Sequence, residues 1–258
     1  MLIGNSTTNE IITHQRLNKS ENFYNIALVP TGSLEQHGSL LPLNTDTVLS
    51  TNVCTALDDK SGGRFFVYPE IIYTNTLVCK NYPGTVSISH DTFRSLIREV
   101  AKGIINGGFD ACIFIDGHSI NKSDLFEVSC DLVNQSFDKG SPKPIAVIPL
   151  YDYFNGLAKK YNISLGKHAD IMEMILFIGG GGILKKTDQV SVEKKEYNWP
   201  GSIPGVPIEL RSDNGVIGEI VGPLESAALV WNDLIEIVYN KLLRDVELFY
   251  GCIKEKGA

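Results

Sequence analysis

The sequence predicts an α/β protein in which helices cover both faces of a mainly parallel β-sheet. Three short apolar runs, at residues 26–31, 111–115 and 144–150, have the length and composition of buried strands. Segments whose apolar residues recur at helical spacing separate these runs. Because parallel strands need crossover connections and bury both faces of their sheet, this alternation indicates such a fold.

The predicted elements follow one another along the chain. They are a strand at 26–31, a helix at 46–57, a strand at 65–68, a helix at 90–106, a strand at 111–115, a helix at 122–137, a strand at 144–150, a helix at 168–177 and a closing helix at 224–250. Residues 187–222 are rich in glycine, proline and charge, which predicts a long surface loop. No internal repeat divides the sequence, so we predict a single domain over residues 1–258.

The composition argues against several classes of protein. The formal net charge is -7, so the chain has no overall attraction to nucleic acid or anionic lipid. No apolar stretch reaches the roughly 18 residues that span a bilayer, and the first residues do not resemble a signal peptide. The five cysteines lack C-x-x-C spacing, which indicates free thiols in a reducing compartment. We therefore expect a cytoplasmic protein with no nucleic-acid or membrane partner.

Histidine and carboxylate side chains follow two of the predicted strands. Glu35 and His37 come just after the first strand, and His118 follows the strand at 111–115. The carboxyl ends of parallel strands meet at one edge of a sheet, where α/β proteins bind ligands. Glu35 and His37 point the same way in an extended segment. Asp46, at the predicted start of a helix, can reach back to the same place.

Two carboxylates and two imidazoles form a suitable ligand set for Zn, Mn or Fe. Asp46 has two oxygens and can bridge two ions, which together polarise a carbonyl and lower the pKa of a bound water. Taken singly, each residue has a structural alternative, since an Asp that starts a helix often only caps it. The spacing alone therefore leaves a metal site and a structural role open.

Five segments resemble motifs of the creatininase (creatinine amidohydrolase) family. Gly32-Ser33-Leu34-Glu35-Gln36-His37-Gly38, with Leu41-Pro42-Leu43 and Thr45-Asp46, is similar to the first motif almost residue for residue. The other segments are Pro83-Gly84-Thr85-Val86-Ser87, Asp116-Gly117-His118-Ser119-Ile120-Asn121, Lys167-His168-Ala169-Asp170 and Asn214-Gly215-Val216-Ile217-Gly218. The first motif is the most specific, and the resemblance extends from about residue 26 to the closing helix.

The resemblance implies a three-layer α/β/α fold and a centre of one or two divalent ions (Zn, Mn or Fe). The implied metal ligands are Glu35, His37, Asp46 and His118, with Asp46 as the bridge. His168 resembles the family's proton-transferring histidine, and Glu173 falls where the family places a glutamate near the site. The resemblance also implies a small-molecule substrate and a homo-oligomer, often a hexamer.

The chain departs from the family's pattern at several positions. Creatininases place a metal-binding Glu two residues after the second-motif histidine, and here that position is Ile120. The second ion is then held by Glu173 instead, is held weakly, or is absent. Asp116 also replaces an Asn, and Asp170 replaces a Gly.

The resemblance implies a metal-dependent amidohydrolase that uses a metal-activated water to cleave a C–N bond in a creatinine-like cyclic amide or a formamide. One alternative is a formamide deformylase that acts on a pyrimidine nucleotide of archaeal riboflavin and coenzyme F420 synthesis. A second is a non-catalytic metal- or ligand-binding protein on the same fold, which the altered second motif would suit. A third is a peptide-processing hydrolase on the same scaffold.

His168 and Glu173, the proposed catalytic pair, can act together only if both side chains face the same centre. His168 would protonate the leaving nitrogen, because an imidazole pKa lies near neutrality. On one continuous helix, Glu173 would lie about 140° around the axis from His168. Both can face one centre only if the helix begins after His168.

No role is predicted for His14 or His90, and the candidates to line the pocket are Tyr73, Lys80 and Trp199.

Overall fold

The core of the molecule is a four-stranded parallel sheet. The computed structural model describes residues 1–185, 207–212 and 214–255. The strands of these residues are β1 (Ile26–Thr31), β2 (Phe66–Val67), β3 (Ala111–Asp116) and β4 (Ile145–Pro149). Their order is β2-β1-β3-β4, and all neighbouring pairs are parallel. The predicted parallel sheet is confirmed.

Helices connect the strands and close the chain. Those of the described residues are α1 (Thr8–Ser20), α2 (Thr45–Lys60), α3 (His90–Asn106), α4 (Asn121–Asp138), α5 (Phe154–Tyr161), α6 (Ile171–Gly179) and α7 (Ala227–Glu255). Short 3₁₀ turns lie between several of them, including Leu150–Tyr153 directly after β4. None of the described helices is long and apolar enough to cross a membrane.

Two apolar clusters pack on opposite faces of the sheet and make three layers. Alternate side chains of a strand point to opposite faces. Accordingly, Ile26 and Leu28 of β1 pack with side chains of α2, α6 and α7. Ala27 and Val29 of the same strand pack with side chains of α3 and α4 on the other face. The three-layer α/β/α fold is confirmed.

Helix α6 begins later than the sequence pattern predicts. The predicted helix starts at His168, but the observed helix starts at Ile171. The side chain of Asp170 accepts hydrogen bonds from the backbone N–H groups of Met172 and Glu173, so Asp170 is the N-cap. This arrangement leaves His168 in the preceding loop, as the geometric requirement demands.

Two helices are absent from the sequence prediction. Helix α1 has few apolar residues, and only Asn18 in it is fully buried. Its start carries a capping box between Thr7 and Glu10, a signal that the hydrophobic pattern does not include. Helix α5 has only eight residues, so it is too short for its periodicity to stand out. Helix α7 begins at Ala227, after a 3₁₀ turn at Leu224–Ser226.

The described part of the segment at 187–222 is not a free surface loop, which corrects that prediction. Ile217 pairs antiparallel with His168. Ile208 and Ile217 are 4% and 8% exposed and pack with the buried Cys79. These residues therefore fold back onto the carboxyl edge of the sheet. Trp199 lies outside the described residues.

Candidate metal centre

Two glycines at the ends of β1 and β3 allow α2 to approach the sheet. Thr31 and Asp116 are partners in the ladder between β1 and β3, so Gly32 and Gly117 leave the sheet at the same level. A Cβ on Gly32 would lie 2.3 Å from the Thr47 nitrogen, and one on Gly117 would lie 2.3 Å from the Asp46 carbonyl oxygen. The first turn of α2 can therefore sit against both strand ends, and it carries Asp46 with it.

Asp46 lies between two histidines. Its Oδ1 is 3.0 Å from His37 Nε2, and its Oδ2 is 2.9 Å from His118 Nδ1. The Ser33 hydroxyl donates to Oδ2 at 2.8 Å. The side chain of Asp46 is 1% exposed, so these contacts are made away from bulk water. This geometry suits a carboxylate that bridges two cations.

Backbone carbonyl groups orient both imidazole rings. His37 Nδ1 lies 3.1 Å from the Glu35 carbonyl oxygen, and His118 Nε2 lies 3.1 Å from the Asn75 carbonyl oxygen. A carbonyl oxygen only accepts hydrogen bonds, so these ring nitrogens carry a proton. The opposite nitrogen of each ring faces the carboxylates. Metal-binding histidines are oriented in the same way, because the ring N–H that faces away from the metal donates to a nearby acceptor.

Glu35 has one oxygen that the protein does not satisfy. Its Oε1 lies 3.1 Å from His118 Nδ1 and 4.0 Å from His168 Nδ1. Its Oε2 is buried and has no hydrogen-bond partner among the described residues. An unsatisfied buried carboxylate oxygen is destabilising. A cation beside it would remove that cost, so the donor set fits a metal ion.

Glu173 and His168 reach the same centre from the start of α6. Glu173 Oε2 lies 3.5 Å from His37 Nε2 and accepts the Ala169 N–H at 3.0 Å. His168 Nε2 donates to the Gln36 carbonyl oxygen at 2.8 Å, which leaves Nδ1 facing Glu35. The rings of His37 and His168 lie 4.7 Å apart.

All six residues singled out in the sequence lie together, in three overlapping groups. In each group the possible ligand atoms lie within 4.8 Å of one another. The groups are Glu35/Asp46/His118, His37/Asp46/Glu173 and Glu35/His37/His168. The first two share only Asp46 and can hold one cation each. Ile120 precedes α4 and offers no ligand atom.

The charged groups of the centre shift one another's pKa values. Burial alone lowers the pKa of His37, but the Asp46 carboxylate outweighs it and raises that pKa to about 10. Burial opposes ionisation of Asp46, yet the neighbouring His37 and His118 lower its pKa well below the usual range. Burial also lowers the pKa of His168, and repulsion from His37 adds to this effect. The raised pKa of His37 shows that a positive charge beside the Asp46 carboxylate is favoured.

Several contacts of the site carry no signal in the sequence motifs. The Tyr151 hydroxyl donates to Glu173 Oε1 at 2.8 Å. Because Tyr151 lies in the 3₁₀ turn just after β4, the rule that ligands lie beyond strand ends would have pointed to it. Cys79 Sγ lies 4.0 Å from His168 Nε2, and burial raises the pKa of its thiol. Asp116, by contrast, belongs to the motif at residues 116–121, and its Oδ1 accepts the His118 N–H at 3.2 Å, which holds the turn after β3.

The two other histidines lie apart from the centre, and two of the residues predicted to line the pocket lie at the surface. His14 lies in α1 and contacts the Phe66 ring edge-on. His90 begins α3 and pairs with Asp124 at 2.6 Å. Tyr73 and Lys80 are exposed and lie near Asn75 and Cys79 in the chain.

Comparison with known families gives a match over most of the chain. A family model described as creatininase, creatinine amidohydrolase, matches residues 10–219. The match contains every residue of the candidate centre.

Two curated relatives resemble shorter parts of the chain. The mycofactocin precursor peptide peptidase of Mycobacterium ulcerans is 34% identical over 101 residues, which cover 36% of this chain. The creatinine amidohydrolase of Pseudomonas putida is 26% identical over 107 residues, which cover 40% of this chain. In both cases the alignment spans 40% of the relative's length.

Solved structures show the same fold over nearly the whole length. The structure named Creatininase Mn is 18% identical and superposes with a TM-score of 0.79, covering 95% of this chain and 98% of its own. A creatinine amidohydrolase structure from Bacteroides fragilis, named as putative, is 16% identical with a TM-score of 0.65, and the match covers 96% of this chain and 95% of that one. At these identities, the likeness supports the fold alone.

Proposed function

The chain belongs to the creatininase family, and on that basis we propose that it is a metal-dependent amidohydrolase with two divalent cations bridged by Asp46. The observation that carries the proposal is the pair of contacts from the Asp46 oxygens to His37 and His118, at 3.0 and 2.9 Å. Each histidine belongs to a separate group of possible ligands that contains Asp46. When bound, the cations would polarise the substrate carbonyl and lower the pKa of a water.

The proposed centre has two cation positions, and a different pair of side chains would hold each cation together with Asp46. Glu35 and His118 would hold the first position together with Asp46, whose Oδ2 lies beside His118. His37 and Glu173 would hold the second position together with Asp46, whose Oδ1 lies beside His37. All five side chains are nearly fully buried, so the charges act with little screening by water.

His168 is the residue placed to move a proton. The hydrogen bond from Nε2 to the Gln36 carbonyl fixes the ring. Its Nδ1 faces the centre, 4.0 Å from Glu35 Oε1, and is the nitrogen free to accept a proton from water. That proton then passes to the nitrogen that leaves when the C–N bond breaks. His168 is about 9% exposed, which suits transfer within a nearly closed site.

We propose a small cyclic amide or a formamide as the substrate class. The support is the family match together with the likeness to the Pseudomonas putida creatinine amidohydrolase. A peptide amide is the second candidate. The specific support for it is the higher identity, 34%, to the mycofactocin precursor peptide peptidase of Mycobacterium ulcerans.

The test is hydrolysis by metal-stripped and reloaded protein. The full chain is treated with chelator and reloaded with Mn or Zn. It is then assayed against creatinine, N-formyl compounds and short peptides. We expect turnover of one class that disappears on stripping and returns on reloading. Asp46→Asn should abolish it, whereas Asp152→Asn, which removes an exposed partner of Lys122, should not. Metal-independent turnover, or no turnover of any amide after reloading, would count against the proposal.

A further inference from the structure

The side chain of Tyr151 connects the end of β4 to the proposed metal centre. Tyr151 lies in the 3₁₀ turn at Leu150–Tyr153 that follows β4. Its ring packs on Phe154, with ring centroids 4.5 Å apart. Its hydroxyl donates to Glu173 Oε1 at 2.8 Å. The ring is therefore held by packing while the hydroxyl donates a hydrogen bond to Glu173.

The other oxygen of Glu173 has its own donor. The Ala169 N–H donates to Oε2 at 3.0 Å. Ala169 has φ of 52°, the left-handed region that non-glycine residues rarely adopt, and this aims its N–H at Glu173. With one donor on each oxygen, the carboxylate is fixed in both position and rotation. Oε2 is thereby kept 3.5 Å from His37 Nε2.

The two proposed metal positions differ in how their third ligand is held. Glu35 at the first position lies in the segment after β1, and its backbone is fixed by a hydrogen bond from its N–H to the Leu43 carbonyl at 2.9 Å. Glu173 at the second position comes from the first turn of α6. A buried carboxylate that arrives on a separate helix needs donors to hold it ionised and in place.

We infer that Tyr151 is a positioning residue for the second cation, because its hydroxyl holds Glu173 as the ligand that completes the group with His37 and Asp46. The inference rests on the proposed function, since it assumes that the centre binds two ions. Residues that orient metal ligands typically change affinity by 10- to 100-fold when they are removed. The effect should fall mainly on the second ion, because the hydrogen bond that the Tyr151 hydroxyl donates goes to Glu173.

The test is the affinity of each ion in Tyr151→Phe. Chelator-stripped full-length protein is titrated with Mn or Zn, and the stepwise dissociation constants are measured by calorimetry against a competing chelator. We expect the second dissociation constant to rise about 10- to 100-fold, with the first unchanged. Tyr153→Phe is the matched control: it lies in the same turn, its hydroxyl is near Asp152 and Asp245, and both constants should stay at the wild-type values.

Glu173→Gln separates positioning from a general loss of structure. It should weaken the second ion at least as much as Tyr151→Phe, and adding Tyr151→Phe to it should have little further effect. If Tyr151→Phe does not fold, Glu173→Gln alone still tests the inference, because unchanged affinity for the second ion in that variant would overturn the role of the carboxylate that Tyr151 holds.

Equal weakening of both ions by Tyr151→Phe, or unchanged affinity for both, would overturn the inference. A wild-type chain that binds a single ion would also overturn it, yet would leave a one-ion hydrolase in place. A folded wild-type chain that binds no ion would instead remove the proposed function itself.

Discussion

Asp46 places its two carboxylate oxygens on two different histidines, Oδ1 against His37 Nε2 and Oδ2 against His118 Nδ1. The two imidazoles come from different strand connections, after β1 and after β3. A single side chain thus joins the two halves of the centre. Removing its charge should affect both proposed ions together.

Asp46→Asn should abolish binding of both ions, because the amide cannot supply two anionic oxygens to the shared position. Metal content of the purified, reloaded variant measures this directly. Ser33→Ala removes only the hydroxyl that donates to Asp46 at 2.8 Å. It should lower affinity by roughly 10- to 100-fold and retain the stoichiometry. An Asp46→Asn protein that still binds two ions would exclude Asp46 as the bridge.

Gly117→Ala should destabilise the protein, because the new Cβ would lie 2.3 Å from the Asp46 carbonyl oxygen. Overpacking of this kind typically costs about 1–3 kcal/mol, and here it would also move Asp46. Gly103→Ala is the control: nothing lies within 4 Å of its added Cβ, and it sits in α3. A helical alanine there should stabilise the fold by up to about 1 kcal/mol. Denaturant unfolding of both variants measures the difference, and equal stabilities would contradict the packing argument.

His168→Gln should retain both ions but slow turnover. The side chain of His168 belongs to neither of the two groups that share Asp46 alone. Loss of a positioned proton donor typically reduces the rate by about 10²- to 10⁴-fold. The comparison of kcat with metal content separates the two effects. A variant that loses metal in proportion to activity would make His168 a ligand instead.

Asp170→Ala should destabilise α6 and displace Glu173. Asp170 accepts the N–H groups of Met172 and Glu173, and loss of such a cap typically costs about 0.5–2 kcal/mol. Asp170→Asn keeps an accepting oxygen and should retain most of the stability. Thermal unfolding of the stripped proteins shows the order, and an Asp170→Ala variant as stable as Asp170→Asn would contradict the role of the cap.

The sheet and its two flanking layers could be predicted because the strands are short, apolar and separated by helical patterns. Helix α3 was predicted with its observed bounds, since its apolar residues recur regularly and Gly107 follows it. The amphipathic pattern gave the wrong start for α6, because Asp170 caps that helix by a side-chain contact that periodicity does not register. Helix α1 was missed because its stability depends on a capping box more than on an apolar face.

The convergence of Glu35, His37, Asp46 and His118 could be predicted from the positions of strand ends. The orientation of the imidazoles could not, because it depends on the carbonyl groups of Glu35 and Asn75. Asn75 is remote in sequence from His118 and lies in none of the five segments that resemble motifs of the family. The oligomeric state, the cytoplasmic location and the single domain over residues 1–258 stay predictions.

Anomalous diffraction from crystals of the full chain loaded with Mn or Zn would locate the cations themselves. We expect two peaks on either side of the Asp46 carboxylate, one beside Glu35 and His118 and the other beside His37 and Glu173. A single peak beside Glu35 and His118 would restrict the chemistry to one ion. No peak at Asp46 in a folded, metal-loaded crystal would contradict the assignment of this centre as the site of catalysis.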